Sequence, residues 1–501
     1  MKNKTKNVLL IGSYNPSRIR TGQYLSPPLG IYRIASHLEK KYIANVDVVD
    51  PTLNYEETLN KIQEKKYDLI GHSILHPTLE EDLKLIWKTH NLSPDSLQIA
   101  GGQGATFNAE EILKKTPVKA VGRGFGEGIL EQIVKNELEI NNVKGLYLLK
   151  DNRIISTGNV SKMNMEEFRE ISFNLNFGKI EYSKYWKFME SQYDKEHVHA
   201  MKNEGMLKTI RLMVSNYCPL GCTHCTSTNF LNEAIDGNQR VLFLEPQEII
   251  YMMKKSIKAH PETEAFYFND DNFLLMKKKK ILEFCELTKG LDKKYNLMFQ
   301  GRIDDVDKET LIEMGKSSFK IGFYGAETFS DRLARDIRKM KTGGKDYGEL
   351  AKNILRDTMN AGLVAQFSLM LFLPSSKQKD LEITIENTLD LMEEGARATI
   401  FPYVEAYSGA KIVYNHELSY NEFEIENRHF RIPSLVLPDD KDVRSIAEKS
   451  LKLKDKLNKE KRWDKFKGKI PQPVDSLNLF SAIYKISGKS TTRIENLLKN
   501  Y

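Results

Sequence analysis

A chain of 501 residues exceeds what one ordinary core organises, so two large domains and a small third are expected. With 40% hydrophobic and 29% charged residues, the composition is that of an ordinary soluble chain. A formal net charge of +7 over this length calls for no nucleic-acid partner and is compatible with anionic small molecules.

The N-terminus turns apolar only over Val8–Ile11 before polar residues and Pro16 intervene, which predicts a first strand rather than a signal peptide. No run approaches the length of a bilayer span. Three of the 4 cysteines are packed together, which argues against a disulfide framework and for a reducing, cytoplasmic setting.

Over residues 1–140, strand candidates are Val8–Ile11, Val46–Val49, Leu69–Leu75, Gln98–Ala100 and Ala120–Val121. Amphipathic stretches alternate with them: Leu29–Lys41, Tyr55–Lys65, Leu79–Thr89, Ala109–Lys115 and Gly126–Lys135. This rhythm predicts a flavodoxin- or Rossmann-like, doubly wound parallel sheet, which binds ligands at the carboxyl ends of its strands. Glycines stand at those ends: Gly12, Gly71, Gly101-Gly102, and the run from Gly122 to Gly128. No GxGxxG opens the first helix and the loop Ser13–Pro28 is long, so a nicotinamide cofactor is not expected.

Ser73-Ile74-Leu75 closes the third predicted strand and Gly101-Gly102 the fourth. Together with Ser26-Pro27-Pro28-Leu29-Gly30 and Gly122-Arg123-Gly124-Phe125-Gly126-Glu127, they make a segment that resembles the cobalamin-binding domain. The resemblance implies a corrinoid site at Ser26, Pro28, Gly30, Ser73, Leu75, Gly101, Gly102, Gly122, Gly126 and Glu127, with small residues letting the nucleotide tail run beside the sheet. The Asp-x-His-x-x-Gly signature that supplies a lower cobalt ligand is absent, so cobalamin is expected to bind without that histidine. His72 and His76 flank the Ser-x-Leu, and either reads more readily as a polar loop residue than as an axial ligand.

Residues 141–205 read as a hairpin, Gly145–Gly158 with Asp151-Asn152 at its turn, followed by a connecting region. Within the latter, Glu196-His197-Val198-His199 has no further ligand nearby in sequence and reads as surface histidines. Residues 206–410 then carry six strand–helix units, with strands at Thr209–Ser215, Ala265–Asn269, Leu297–Gly301, Phe319–Tyr324, Val364–Leu373 and Ala398–Tyr403. Six such units predict a partial (β/α)6 barrel of the TIM type, its site at the strand C-termini.

Directly after the first of these strands comes Tyr217-Cys218-Pro219-Leu220-Gly221-Cys222-Thr223-His224-Cys225. Structural zinc takes four protein ligands and cubane iron–sulfur clusters usually take four thiolates, so three clustered thiolates leave one metal corner open to a small molecule. The CxxxCxxC loop and its place in the barrel resemble the radical S-adenosylmethionine (SAM) superfamily. The domain ahead of it narrows the resemblance to the cobalamin-dependent radical SAM enzymes. Phe268-Asn269-Asp270-Asp271-Asn272-Phe273, Gly322-Phe323-Tyr324-Gly325-Ala326-Glu327 and Leu371-Phe372-Leu373-Pro374 are similar to strand ends of that family. One departure is His224, where the family usually carries an aromatic residue; histidine can still stack on adenine.

The resemblance implies that Cys218, Cys222 and Cys225 hold three irons of a 4Fe–4S cluster, and that SAM chelates the fourth. An electron donor such as flavodoxin or ferredoxin would then drive cleavage to a 5′-deoxyadenosyl radical that takes hydrogen from an unactivated carbon. It further implies contacts to SAM from His224, Asp270, Asp271, Arg302 (by bidentate pairing with its carboxylate) and Glu327. The bland alternative for each charged residue is a solvated loop position. Tyr403 and Tyr407 suit either a substrate cavity or the core, and Cys285, on the same helix side as Ile281 and Leu282, reads as a buried small hydrophobe.

Beyond residue 410 the strand–helix rhythm stops. Polar Asn421–Arg431, a lysine-rich helix over Val443–Trp463 and an amphipathic Leu477–Ile486 predict a small helical cap over the substrate opening. The basic run Lys449–Lys469 reads as a solvated helix face. The expected activity is methyl transfer from methylcobalamin to an inert carbon or phosphorus of a small metabolite or natural-product intermediate. The same cofactors could instead rearrange, contract or close a ring. Methylthio transfer to tRNA would need a second cysteine set. In a non-catalytic sensor, the three cysteines and His224 would hold zinc, at the expense of strain beside Cys225.

Overall fold

The computed structural model describes residues 5–16, 25–41, 43–192, 204–340, 346–460 and 472–499. The His197–His199 pair and the part of the basic run from Lys461 onward lie outside the described residues. Among those described, no helix is long and apolar enough to cross a membrane.

Val8 to Ile11 is apolar on both faces, so it needs cover on both, and β1 (Lys6–Ile11) becomes an inner strand. It pairs in parallel with β2 (Ala44–Val49) on one side and β3 (Leu69–Ser73) on the other. β4 (Leu97–Gly101) and β5 (Ala120–Gly122) follow, giving the order 2-1-3-4-5 of a flavodoxin-like sheet. The chain reverses its direction of travel between β1 and β3, which opens a crevice at the strand ends. Helices Leu29–Lys40 and Gly126–Lys135 pack side by side over one face. The predicted hairpin, β6 (Leu146–Lys150) and β7 (Arg153–Ser156), adds antiparallel to β5 and extends the sheet to seven strands. Asp151 and Asn152 turn it at φ of 49° and 59°, the left-handed pair that matches strand twist.

Helices Met165–Asn174 and Tyr182–Gln192 tie this sheet to the next. The Asn176 amide donates to Ser36 Oγ at 3.0 Å, and Trp186 Nε1 donates to the Thr209 carbonyl at 3.2 Å. The second sheet runs β8 (Thr209–Leu212), β9 (Ala265–Phe268), β10 (Asn296–Gly301), β11 (Phe319–Glu327), β12 (Val364–Phe372) and β13 (Arg397–Glu405), parallel and in chain order. Phe266, Phe268, Phe273, Phe284 and Phe319 fill the space between it and its helices.

The region after residue 410 departs from the helical expectation. β14 (Leu418–Ile425) and β15 (Arg428–Val436) form a hairpin that joins β13 antiparallel. Its apolar residues Phe423, Ile425, Phe430 and Ile432 recur at every second position, a strand period hidden among charges. That face packs on Leu79, Leu83 and Ile86 of the first domain. The last helices, Lys441–Glu460, Gln472–Ile486 and Thr492–Leu498, lie against β12, β13 and the helix Gln378–Glu393, where Arg493 meets Asp390 at 2.6 Å and Glu393 at 2.7 Å.

Candidate cofactor sites at the seam between the sheets

A cavity of about 260 Å³ lies between the first sheet and the helices Leu29–Lys40 and Gly126–Lys135. Gly30, Ser73, Gly101, Gly102, Gly122, Gly126 and Glu127 line it, as expected from the sequence. Ser26, Pro28 and Leu75 are not in its lining: Pro28 lies over Gly12, and the Leu75 side chain is exposed. The glycines do different things. A Cβ on Gly30 or Gly101 would meet nothing within 4 Å, so those positions border open space. A Cβ on Gly102 would lie 2.7 Å from the Ile74 carbonyl oxygen, and its φ of 94° favours glycine outright. One on Gly126 would lie 2.7 Å from Ile34 Cδ1, so that glycine lets the two helices approach.

The volume is below the roughly 300–1,000 Å³ of sites that enclose a whole drug-sized ligand, so the space suits an arm of a larger molecule. The wall also holds Arg33, whose Nε and Nη2 are buried without a hydrogen-bond partner. Open glycine walls and orphaned donors together fit the nucleotide tail of a corrinoid. Neither neighbouring histidine is free to titrate near neutrality. His72 Nε2 is 3.1 Å from Gln98 Oε1, and burial pushes its pKa down to about 4. His76 stacks on Tyr407 with centroids 5.0 Å apart, and burial pushes it down to about 4.

The cysteine loop leaves β8 and is fixed at its root by Asp270. That carboxylate accepts from the Val214 amide at 3.0 Å and from the Ser215 amide and hydroxyl at 2.5 Å. Burial still raises its pKa to about 7. Asp271 accepts from Ser227 Oγ, and burial raises its pKa too. Gly221, at φ of 64°, turns the loop back. Thr228 Oγ1 receives the Gly221 amide at 3.1 Å and donates to the Cys218 carbonyl at 2.9 Å. The Thr223 amide and carbonyl bond to Ile337 and Ile412 at 3.1 and 2.9 Å.

The thiols are individually addressed. Cys225 Sγ accepts from the Ser227 amide at 3.4 Å, and Cys222 Sγ accepts from Arg302 Nη1 at 3.3 Å. Arg302 spends its fork on Asp304, with Nε and Nη2 at 2.8 and 2.9 Å, so the bidentate carboxylate expected from SAM is here an internal one. Burial pushes Cys218 up to about 12 and Cys225 up to about 11, with Asp271 and the neighbouring thiols adding to it. A bound cation would reverse that logic, since coordination deprotonates a thiol.

Among the described residues no group of three or more His, Cys, Asp or Glu is arranged to hold a single metal ion. Thiolates of an iron–sulfur cluster each take a different iron, so they need no such convergence, and the donor set fits a cluster better than zinc. His224 turns toward Glu327, with Nε2 3.9 Å from its Oε1, and burial pushes the imidazole down to about 4. Glu327 ends β11 at φ of 66° and pairs with Lys339 Nζ at 3.1 Å, both nearly solvent-free. A left-handed glutamate costs about 1–3 kcal/mol and concentrates at functional sites.

The two sites meet. Gln103 follows Gly101-Gly102 and Thr226 follows Cys225, and Thr226 Oγ1 donates to Gln103 Oε1 at 2.8 Å. Asn229 Nδ2 donates to the Gly409 carbonyl at 2.6 Å, and Ser408 Oγ to Asn108 Oδ1 at 3.1 Å. Met213 and Phe230, from the cysteine side, line the glycine cavity.

Comparison with known proteins agrees with this geometry. Residues 18–134 match the B12 binding domain. A solved structure of the radical SAM methyltransferase TsrM from Kitasatospora setae, with cobalamin and a [4Fe-4S] cluster bound, superposes with TM-score 0.66 at 13% identity, over 96% of this chain and 89% of that one. OxsB, a cobalamin-dependent SAM radical enzyme with aqua-cobalamin bound, gives 0.66 at 14% identity, over 99% and 75%. This is the fold of the cobalamin-dependent radical SAM enzymes. Anaerobic magnesium-protoporphyrin IX monomethyl ester cyclase from Cereibacter sphaeroides is 24% identical over 394 residues, 75% of this chain. The present chain spans 58% of that relative's length.

Within this cobalamin-dependent radical SAM fold, sequence reasoning gave no role to four residues that hold the seam. Arg33 sits in the cavity wall, and Gln103 and Thr226 join the loops. Arg123 reaches the Glu233 and Gly158 carbonyls at 2.6 Å each. Only Arg123 carried a signal, a cation within a glycine run. Cys285 is a buried hydrophobe of the core, and Tyr403 packs on Phe372 with centroids 5.7 Å apart.

Proposed function

We propose that the chain is a radical SAM enzyme that uses cobalamin to methylate an unactivated carbon, or a phosphorus, of a small metabolite or natural-product intermediate. The observation that carries this is the seam itself: the glycine cavity and the three-cysteine loop are joined through Gln103 and Thr226. When bound, the cluster and SAM supply a carbon radical and the corrinoid supplies a transferable methyl group.

The chain's own residues do the positioning. Cys218, Cys222 and Cys225 bind iron, and Arg302 and the Ser227 amide donate to two of the sulfurs, which favours the reduced cluster. His224, Glu327 and Lys339 form a dry polar wall beside the loop, suited to orient the amine and carboxylate of SAM. An external one-electron donor of the flavodoxin or ferredoxin kind would supply the electron that begins the reaction.

The test is anaerobic turnover with methyl-labelled SAM and candidate small molecules. Label in a product together with deoxyadenosine supports methyl transfer. Deoxyadenosine with an unlabelled, altered product favours the second reading, ring formation or rearrangement, to which the cyclase relative lends weight. Deoxyadenosine formation that survives Cys225→Ala excludes both.

A further inference from the structure

The wall of the glycine cavity contains one feature that an apolar tail would not need. Arg33 on helix Leu29–Lys40 and Glu127 on helix Gly126–Lys135 face each other, Nη2 to Oε1 3.3 Å, with side chains only 7% and 5% exposed. The surroundings are aliphatic: Leu10, Ile31, Ile34, Ile99, Ile129 and Leu130. Nη2 meets Glu127 as an ion pair without an aligned hydrogen bond, and Nε has no hydrogen-bond partner. A buried ion pair that is poorly aligned and leaves one donor without a partner is a poor stabiliser compared with packed apolar side chains. Its presence in a cavity wall therefore asks for a ligand with matching polar atoms.

We infer that Arg33 and Glu127 read the base at the end of a corrinoid's nucleotide tail and favour an aminopurine over a dimethylated benzimidazole. The inference rests on the corrinoid reading above and deepens it. The edge of adenine sets a ring-nitrogen acceptor beside an exocyclic amine donor. Arginine only donates and an ionised glutamate only accepts, so the pair is complementary to that edge. A benzimidazole bearing two methyl groups offers neither atom there, and its binding would leave both charged groups without partners. The close approach of the two helices, with room at Gly126 for Ile34, sets the pair side by side in the cavity wall.

Three corrinoids test this on the full-length protein by equilibrium dialysis read in visible absorbance. They are one with an adenine tail, cobalamin itself, and cobinamide, which lacks the nucleotide. The adenine form is expected to bind about tenfold or more tighter than cobalamin, as for hydrogen bonds to a charged partner. Arg33→Lys keeps a charge beside Glu127 but lacks the fork, and should lose most of the preference. The double variant Arg33→Leu/Glu127→Leu removes both charges together, so no lone buried charge remains to unfold the protein, and should prefer cobalamin. Equal affinity for the two tailed corrinoids, or a preference unchanged in the double variant, overturns the inference and leaves the corrinoid reading standing. Failure of all three corrinoids to bind the wild-type protein removes both.

Discussion

The two candidate cofactor sites are built from opposite materials. The glycine cavity is made by leaving side chains out, with open space beside Gly30 and Gly101. The cysteine loop is made by locking side chains in: Asp270, Asp304, Arg302, Thr228 and Ser227 each hold one part of it through named hydrogen bonds. A site of absences tolerates small changes in stability but not in volume. A site of interlocked charges should respond the other way, because each removed partner strands another one in a water-free place.

Arg302 gives the sharpest break in that comparison. Its side chain and that of Asp304 are 7% and 6% exposed and bonded through two nitrogens. Arg302→Met takes both guanidinium bonds from the buried Asp304 carboxylate, and should lower unfolding stability by about 3 kcal/mol in a denaturant titration. Adding Asp304→Leu should recover most of the loss. Iron content after reconstitution should fall in both variants, since Cys222 loses its donor in each. A single variant as stable as the parent would mean that water reaches the pair and that the loop is not locked.

This contrast also explains what could be read from the sequence. The parallel sheets were legible because apolar runs such as Val8–Ile11 and the alternating helices have strong periods. The cysteine loop was legible as a unit because its three thiols stand at short spacing directly after a predicted strand. Gly101, Gly102 and Gly126 were legible because a missing side chain is visible in a sequence. The partners were not. Asp304, Lys339, Gln103 and Arg33 meet their targets from other elements, at separations no local pattern reports. The C-terminal hairpin was missed for a different reason: its charged outer face outweighed the two-residue period of Phe423, Ile425, Phe430 and Ile432.

The buried His72–Gln98 pair makes the cavity domain sensitive to acid. His72 is held neutral, its pKa pushed by burial to about 4 from an unfolded value near 6.5. The unfolded chain therefore binds more protons than the folded one between those values. The stability linked to this group is whole above about pH 6.5 and is lost as the pH falls toward 4, to a limit of about 3 kcal/mol. His72→Gln cannot take up that proton. The difference in unfolding free energy between the two proteins should therefore narrow, or change sign, from pH 7 to pH 5. A difference that is flat over that interval would show that His72 titrates normally and that its pocket is wet.

The adjacent pair Gly101-Gly102 tests the comparison within two residues. Gly102→Ala places a methyl 2.7 Å from the Ile74 carbonyl oxygen at a φ of 94°, so it should destabilise the fold by about 1–3 kcal/mol. Gly101→Ala meets no atom within 4 Å and carries no left-handed φ, so its stability should change by less than about 0.5 kcal/mol. Corrinoid affinity should rank the variants differently. Gly101→Ala puts its methyl into the space where the tail would lie, and its loss of affinity should persist under conditions where both proteins are fully folded. If Gly101→Ala instead lowers stability and leaves affinity untouched, the opening beside it is a packing defect, and recognition by empty volume has no basis at this strand end.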